Sequence, residues 1–314
     1  MGNDIRTVAV LGPGGVGGLL AALLSRAGHQ VVCLAGEDTA AVLRERGIGV
    51  RSGQFGDFTA RVDADTVLRT PVDAVLITVK HTALDEALTR IPASELGDDT
   101  LLVPFLNGVE HPARLRAHHR PDRVAPAVVR VESTRVAPGV IEHGSRFTSI
   151  DLAGDRVPAD RLDALARTLS AVDPAVRTHP DETAVLWGKL AFLAPFALLT
   201  TRHRAPVGEI RGRYREELTT LVEETAAVSR ACGAPADPAR TLALYDAFEP
   251  TAKSSMLRDA EAGLPLELDA IGGALLRAAE RHGVPVPVAA RLVEEVAAAS
   301  LRGRRAGRRT SRWI

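Results

Sequence analysis

The stretch Val8–Gly18, "VAVLGPGGVGG", decides how the first half of the chain is built. An apolar run typical of a buried strand leads straight into Gly12, Gly14 and Gly17, spaced G-x-G-x-x-G. The first glycine permits a tight turn, the second lets the backbone approach a pyrophosphate, and the third lets helix and strand pack closely. A helical pattern, "GGVGGLLAALLSRAG", follows and stops at Gly28. Its N-terminus offers N–H donors and the positive end of a dipole to phosphates. Gly12, Pro13, Gly14, Gly15, Val16 and Gly17 are therefore expected to hold a dinucleotide.

Working outward, "HQVVCLA", "DAVLITVK" and "TLLVPFLNG" are continuous apolar runs, as parallel strands covered on both faces should be. Strands alternating with helices predict an α/β fold whose N-terminal part is a Rossmann-like doubly wound sheet. Strand patterns continue from about 120 to 178 around one helix, "ADRLDALARTLSAV". After Pro180 they give way to Ala-, Leu- and Glu-rich helical segments, broken at "CGAPAD", "EPTAKSSM", "AGLPLE" and "HGVPVP". The expected organisation is a dinucleotide-binding domain over 1–178, an all-helical substrate and dimerisation domain over 179–302, and a basic tail over 303–314. The apolar helices of the second domain allow a homodimer, although the sequence selects no face for it.

Lys+Arg and Asp+Glu balance at 39 each, which gives no reason to expect a nucleic acid partner. The six arginines of the closing stretch "LRGRRAGRRTSRWI" fit a solvated tail better than a nucleic acid or lipid contact. Cys33 and Cys232 are too few for a disulfide framework and lack zinc spacing, so a cytoplasmic setting is expected. No signal peptide is read at the start. The apolar run Ala184–Leu199 is too short for a membrane span and carries Lys189 and Pro195, so no membrane partner is expected.

The end of the second strand should choose the cofactor. In "CLAGEDT", Glu37 stands twenty residues beyond Gly17 and is followed by Asp38. A carboxylate there accepts from a ribose 2′-OH and repels a 2′-phosphate, although it would equally cap the next helix, "TAAVLRERG". With no arginine at this strand end, NADH is favoured over NADPH. Lys80 ends "LITVK" and Asn107-Gly108 ends "VPFLNG", both at carboxyl strand ends where ligands gather in open sheets. By position alone Lys80 is equally a solvated strand end, and Asn107-Gly108 an ordinary turn. Lys189 is the sole charge between Ala184 and Leu199, and a buried ammonium needs a partner. His81 and His203 read as surface residues, Glu209 as a local cap or pair, and His111, His118 and His119 as a solvated helix face with no metal constellation.

Taken together these pieces resemble the ketopantoate reductase (2-dehydropantoate 2-reductase) family, from the glycine loop to about residue 295. The matching elements are "TVK" at Lys80, "LNG" at Asn107, "LWGKLA" around Lys189, "SSMLRD" from Ser254 to Asp259, the segment around Glu267, and "GVPVP" from Gly283. The resemblance implies an NAD(P)H-dependent reduction of a 2-oxo acid, in pantothenate biosynthesis for the family's own substrate. It implies that Lys189 is the catalytic lysine that hydrogen-bonds the substrate carbonyl and supplies a proton. Glu267 would orient substrate and lysine, Ser255 would lie near the substrate carboxylate, and Lys80 and Asn107 near the nicotinamide and its ribose. A structural Lys189–Glu267 pair joining two helices is the rival explanation.

The chain also departs from the family pattern. Positions that often carry asparagines are Leu193, Ala197, Val207 and Gly272, and a strand-end arginine is replaced by Gly36. Leu193, Ala197 and Val207 are thus expected to line a more apolar substrate site. Ketopantoate or a related ketone is the expected substrate; the alternatives are a different, more apolar ketone in a specialised biosynthetic pathway, or a nucleotide-binding sensor without catalysis.

Overall fold

The computed structural model describes residues 5–145, 148–170 and 176–310, with side chains described up to residue 302. Its strands are β1 (Thr7–Leu11), β2 (Gln30–Leu34), β3 (Ile48–Ser52), β4 (Phe58–Ala60), β5 (Asp63–Asp65), β6 (Ala74–Ile77), β7 (Leu101–Pro104), β8 (Ala127–Arg130), β9 (Ser133–Ala137), β10 (Val140–His143), β11 (Ser149–Ala153) and β12 (Val176–His179). Five helices accompany them: α1 (Gly15–Arg26), α2 (Glu37–Arg46), α3 (Leu84–Leu88), α4 (His111–Arg116) and α5 (Ala159–Ser170). The rest is helical: α6 (Glu182–His203), α7 (Val207–Arg213), α8 (Arg215–Ala231), α9 (Pro238–Ala247), α10 (Ser255–Glu261), a π-helical turn at Asp269–Gly273, α11 (Ala274–His282) and α12 (Pro287–Thr310). The chain divides into two compact units. One holds the residues up to Leu106 and His111–Val185; the other holds Asn107–Glu110 and the residues from Leu186 onward.

In the first unit, β1, β2, β5, β6 and β7 form an all-parallel sheet in the order β5-β2-β1-β6-β7. Its apolar runs are continuous because alternate residues serve two cores. Val8 and Val10 of β1 join Leu20 and Leu24 of α1 on one face, while Ala9 and Leu11 join Leu84 and Ala87 of α3 on the other. This is the Rossmann-like doubly wound arrangement, and its topological switch lies between β1 and β6, where a ligand crevice is expected. Two smaller sheets, β4-β3-β10-β9 and β12-β11-β8, complete the unit. The short strands β3 to β5 and the exposed strand β9 carry too little apolar signal to be read from sequence.

Two carboxylates tie this unit together. Asp73 Oδ2 accepts from Arg6 N, Thr7 N and Thr7 Oγ1, each at 2.8 Å, joining the start of β1 to that of β6. Asp151 accepts from Arg130, from His179 Nε2 at 3.0 Å and from Arg177 Nε at 2.8 Å. Burial alone would raise both carboxyls, but these donors outweigh it and hold both below the usual carboxylate range. A depressed folded value means that the stabilisation is complete above the unfolded value of about 4 and is lost as pH falls through the folded one. The thermal midpoint is therefore expected to hold steady from neutral pH to about 5 and to drop below about 4. Asp73→Asn should blunt that drop; thermal melts at pH 3 and 7 giving one midpoint would refute the account. Burial, reinforced by Asp63, pushes the Cys33 thiol up to about 12, which makes it chemically inert.

In the second unit α6 lies at the centre of an apolar core that includes Trp187, Leu190, Leu198, Val222, Tyr245 and Leu275. By length and composition α6 is the one helix among the described residues able to cross a membrane, yet most of it is buried inside the protein. Its 22 residues exceed the apolar run read from sequence, because the helix continues through Thr200 to His203. Its first turn belongs to the first unit, where Glu182 pairs with Arg116 at 2.6 Å. The division consequently falls inside α6 and not at residue 178. Glu224 of α8 caps α12, accepting from Val288 N at 2.9 Å and Ala289 N at 2.8 Å. The backbone of α12 stays helical to Thr310; the arginine side chains expected in the tail, and residues 311–314, lie outside the described residues.

Candidate active site

The cofactor half is built around the glycine loop of the first unit. Gly12 has φ +84°, and a Cβ there would lie 2.4 Å from Val79 Cγ1, so only glycine makes this turn. Thr78 Oγ1 donates to the carbonyls of Leu11 at 3.0 Å and Gly12 at 2.8 Å, tying the loop to the end of β6. A Cβ on Gly17 would fall 2.2 Å from Thr78 Oγ1 and 2.5 Å from the Gly12 carbonyl oxygen. Gly14 differs: a Cβ there would meet nothing closer than the Gly12 oxygen at 3.9 Å, which leaves open the side from which a phosphate would come.

Gly14 is also the N-cap of α1. Gly14 has no side chain to cap the helix's first N–H groups, and no acidic residue stands in the first turn. Such a terminus suits an anion. Pro13 is buried and Val16 half-buried within the loop. This combination of a helix N-terminus without a capping side chain and open space beside Gly14 fits a dinucleotide pyrophosphate. One wall escapes sequence reading: Ser133 of β9 donates from Oγ to the Gly15 carbonyl at 2.7 Å, and a Cβ on Gly15 would lie 2.1 Å from the Ser133 carbonyl oxygen.

At the end of β2, Gly36 is the N-cap of α2 without a side-chain cap bond, and Glu37 and Asp38 stand in the first turn. The Glu37 carboxylate meets Arg44 Nη2 at 2.7 Å and stays largely exposed. Arg90 Nη1 donates to the Ala35 carbonyl at 3.1 Å and to that of Thr66 at 2.9 Å. The sequence places no arginine at this strand end, but the fold brings two there. They come from the last turn of α2 and from beyond α3, distances that spacing alone does not reveal. Lys80 is exposed just after β6, next to the Val79 that packs on Gly12.

In the second unit, Glu267 is buried, 7% exposed, at the entrance to the π-helical turn. Asn107 Nδ2 donates to Glu267 Oε2 at 2.9 Å, so two residues 160 positions apart meet. From Val185 to Thr201, α6 reaches the surface only at Gly188, Lys189, Phe192 and Leu193. Helical spacing makes these one stripe. Lys189 is half-buried in it, and both Lys189 and Glu267 have interaction partners. Phe192, which sequence reading passed over as core, stacks on Tyr245 with ring centroids 4.5 Å apart and lies 5.3 Å from Phe248. Arg211 fixes this aromatic shelf by donating to the carbonyls of Tyr245, Asp246 and Phe248.

The other expected substrate residues fare differently. Leu193 is half-buried beside Lys189, whereas Ala197 at 1% and Val207 at 0% exposure belong to the core. Their side chains present no surface to a ligand, because α6 turns that face into the helical core and Val207 opens α7 against Ala252. Ser255 is exposed on the first residue of α10; its neighbour Ser254 is the buried N-cap, bonded to Leu257 N at 3.0 Å and to Thr200 Oγ1 at 2.7 Å. His203 pairs with Glu217 at 2.7 Å, and His111, expected on a solvated face, is buried. No group of three or more His, Cys, Asp or Glu among the described residues is placed to hold a metal.

Residues 8–153 match the family model described as "Ketopantoate reductase PanE/ApbA", and residues 182–300 match that of its C-terminal part. A 2-dehydropantoate 2-reductase of Caulobacter vibrioides is 31% identical over 305 residues, covering 94% of this chain and 99% of that protein. The crystal structure of a PanE/ApbA family ketopantoate reductase from Ralstonia eutropha has a TM-score of 0.85 at 27% identity, covering 95% of this chain and 99% of the other. The ternary structure of D-mandelate dehydrogenase with NADH and anilino(oxo)acetate shares the fold, with a TM-score of 0.87 at 19% identity over 95% of this chain and 99% of that one.

Proposed function

The chain belongs to the ketopantoate reductase family, as an NAD(P)-dependent oxidoreductase acting on 2-oxo acids, and from that premise we propose that Lys189 protonates a substrate whose side chain is apolar. Reduced nicotinamide, when bound, supplies the hydride. Negative charge then grows on the carbonyl oxygen of carbon 2, and a fixed ammonium stabilises it more as it grows. Lys189 donates a hydrogen bond to that oxygen and then its proton. Glu267 orients the lysine and the substrate. Asn107 spends one amide N–H on Glu267, which leaves a second N–H and the carbonyl for a ribose or substrate. Ser255 receives the substrate carboxylate, and Lys80 stands near the nicotinamide end of the cofactor.

The observation that carries the substrate reading is the accessible stripe of α6, whose residues besides Lys189 are Gly188, Phe192 and Leu193, none of which carries a side-chain amide. The terminal hydroxyl of ketopantoate would find no partner there. An apolar site rejects an added hydroxyl by up to about 100-fold, whereas a site built to bind that hydroxyl rejects its absence far more strongly. The direct test compares ketopantoate with 3,3-dimethyl-2-oxobutanoate, which differs only in lacking the hydroxyl, each with NADH and NADPH. The expected result is a kcat/KM about tenfold higher for the deoxy compound, with NADH preferred because a carboxylate at the end of β2, Glu37, would repel a 2′-phosphate. A hundredfold preference for ketopantoate would overturn the apolar reading, and a preference for NADPH would give the strand end to Arg44 and Arg90.

A further inference from the structure

Beyond the residues that meet the ligands, we propose that Arg277 is a positioning residue for this reaction, holding Asn107 on the Glu267 carboxylate by clamping Glu110 and Asp269 together. The inference rests on the reading of Glu267 given above. Residues Asn107–Glu110 fold with the helical unit and are fastened to it at each position. Asn107 bonds Glu267. Gly108 has φ +89° and lies so close to the π-helical turn that a Cβ would be 2.3 Å from the Ala270 carbonyl oxygen. Val109 packs against the helical core. Glu110 receives a two-pronged contact from Arg277, Nε to Oε1 at 3.1 Å and Nη2 to Oε2 at 2.7 Å.

The same guanidinium reaches Asp269, with Nη1 to Oδ1 at 2.7 Å and Nη2 to the main-chain oxygen at 3.3 Å. Gly273 leaves the room for this: a Cβ there would lie 2.4 Å from Asp269 Oδ1 and 3.1 Å from Arg277 Nη1. The π-helical turn begins two residues after Glu267, and such turns, rare elsewhere, frequently mark functional sites. Arg277 therefore fixes both ends of the arrangement, the turn that follows Glu267 and the segment that carries Asn107. The planar fork of an arginine can hold two carboxylates at once in a way that a lysine ammonium cannot. Arg277 is 42% exposed, so its ion pairs add little to stability and its effect belongs in the rate.

The test measures kcat, KM for both substrates, the pH profile of kcat and the thermal midpoint in Arg277→Met and Arg277→Lys. Arg291→Met is the reference, because Arg291 also pairs with two carboxylates, Glu217 and Glu295, on the same unit. Arg277→Met is expected to lower kcat about tenfold, in line with the cost of small misplacements at a reacting centre. The pH profile of kcat should move, since the surroundings of Glu267 change. Arg277→Lys should recover part of kcat, and Arg291→Met should leave it untouched at a similar thermal midpoint. A kcat within twofold of wild type in Arg277→Met, or an equal loss in Arg291→Met, overturns the inference. If Arg277→Met does not fold, an unchanged kcat in Arg277→Lys overturns it instead. Wild-type protein that turns over neither 2-oxo acid overturns the functional reading itself, which separates the two failures.

Discussion

Replacing Lys189 with methionine is expected to lower kcat for a 2-oxo acid by about 10³-fold, within a range of roughly 10² to 10⁴, and to leave NADH affinity within about twofold of wild type. Methionine retains most of the lysine stem and is an equally good helix former, so α6 should keep its packing. In the proposed mechanism, what disappears is the group that would meet the developing oxyanion. A carboxylate such as Glu267, buried at 7% exposure, does not replace it, because it would oppose negative charge on the substrate. Steady-state rates together with a fluorescence titration of NADH separate the two effects. Retention of kcat within tenfold, accompanied by a large fall in thermal midpoint, would assign Lys189 to the structural pairing instead.

The second large effect concerns the glycine loop. Gly17→Val should weaken NADH binding by about 100-fold or more and lower the thermal midpoint as well. The first atom added would lie 2.5 Å from the Gly12 carbonyl oxygen, a main-chain atom that can move only by opening the turn. Opening it would displace the N–H groups proposed to face the phosphates. Gly14→Ala separates folding from binding. Its Cβ meets nothing closer than 3.9 Å in the protein, so the fold should persist while the phosphate approach is filled. Calorimetric titration and melting curves of both variants decide the matter: undiminished affinity in Gly14→Ala would mean that the pyrophosphate lies elsewhere.

The elements that sequence revealed are those whose physics is local. The parallel strands are legible because burial on both faces demands unbroken apolar runs, and the glycine loop because its three glycines have separate steric duties. Strand β9 is not legible, since most of its side chains are exposed and its task, walling off Gly15, is done by backbone. Arg44 and Arg90 reach the end of β2 through folding, not spacing. Lys189 stands out as a lone charge in an oily helix, but Phe192 does not, because one more aromatic among apolar neighbours looks like core until the accessible stripe is seen. Ala197 and Val207 follow the opposite course. Family position suggests a ligand contact, while helix phase and packing bury both side chains.

The excursion Asn107–Glu110 has a practical corollary for anyone dissecting the molecule. A fragment starting at Leu186 would be cut from an uninterrupted stretch of gene and yet lack four residues of its own folding unit. It would expose the surface that Val109 normally covers and leave Glu267 without its amide. Separating the halves by simple truncation should therefore yield an aggregation-prone product, whereas supplying those four residues in cis, through a redesigned connection, should restore a well-behaved one.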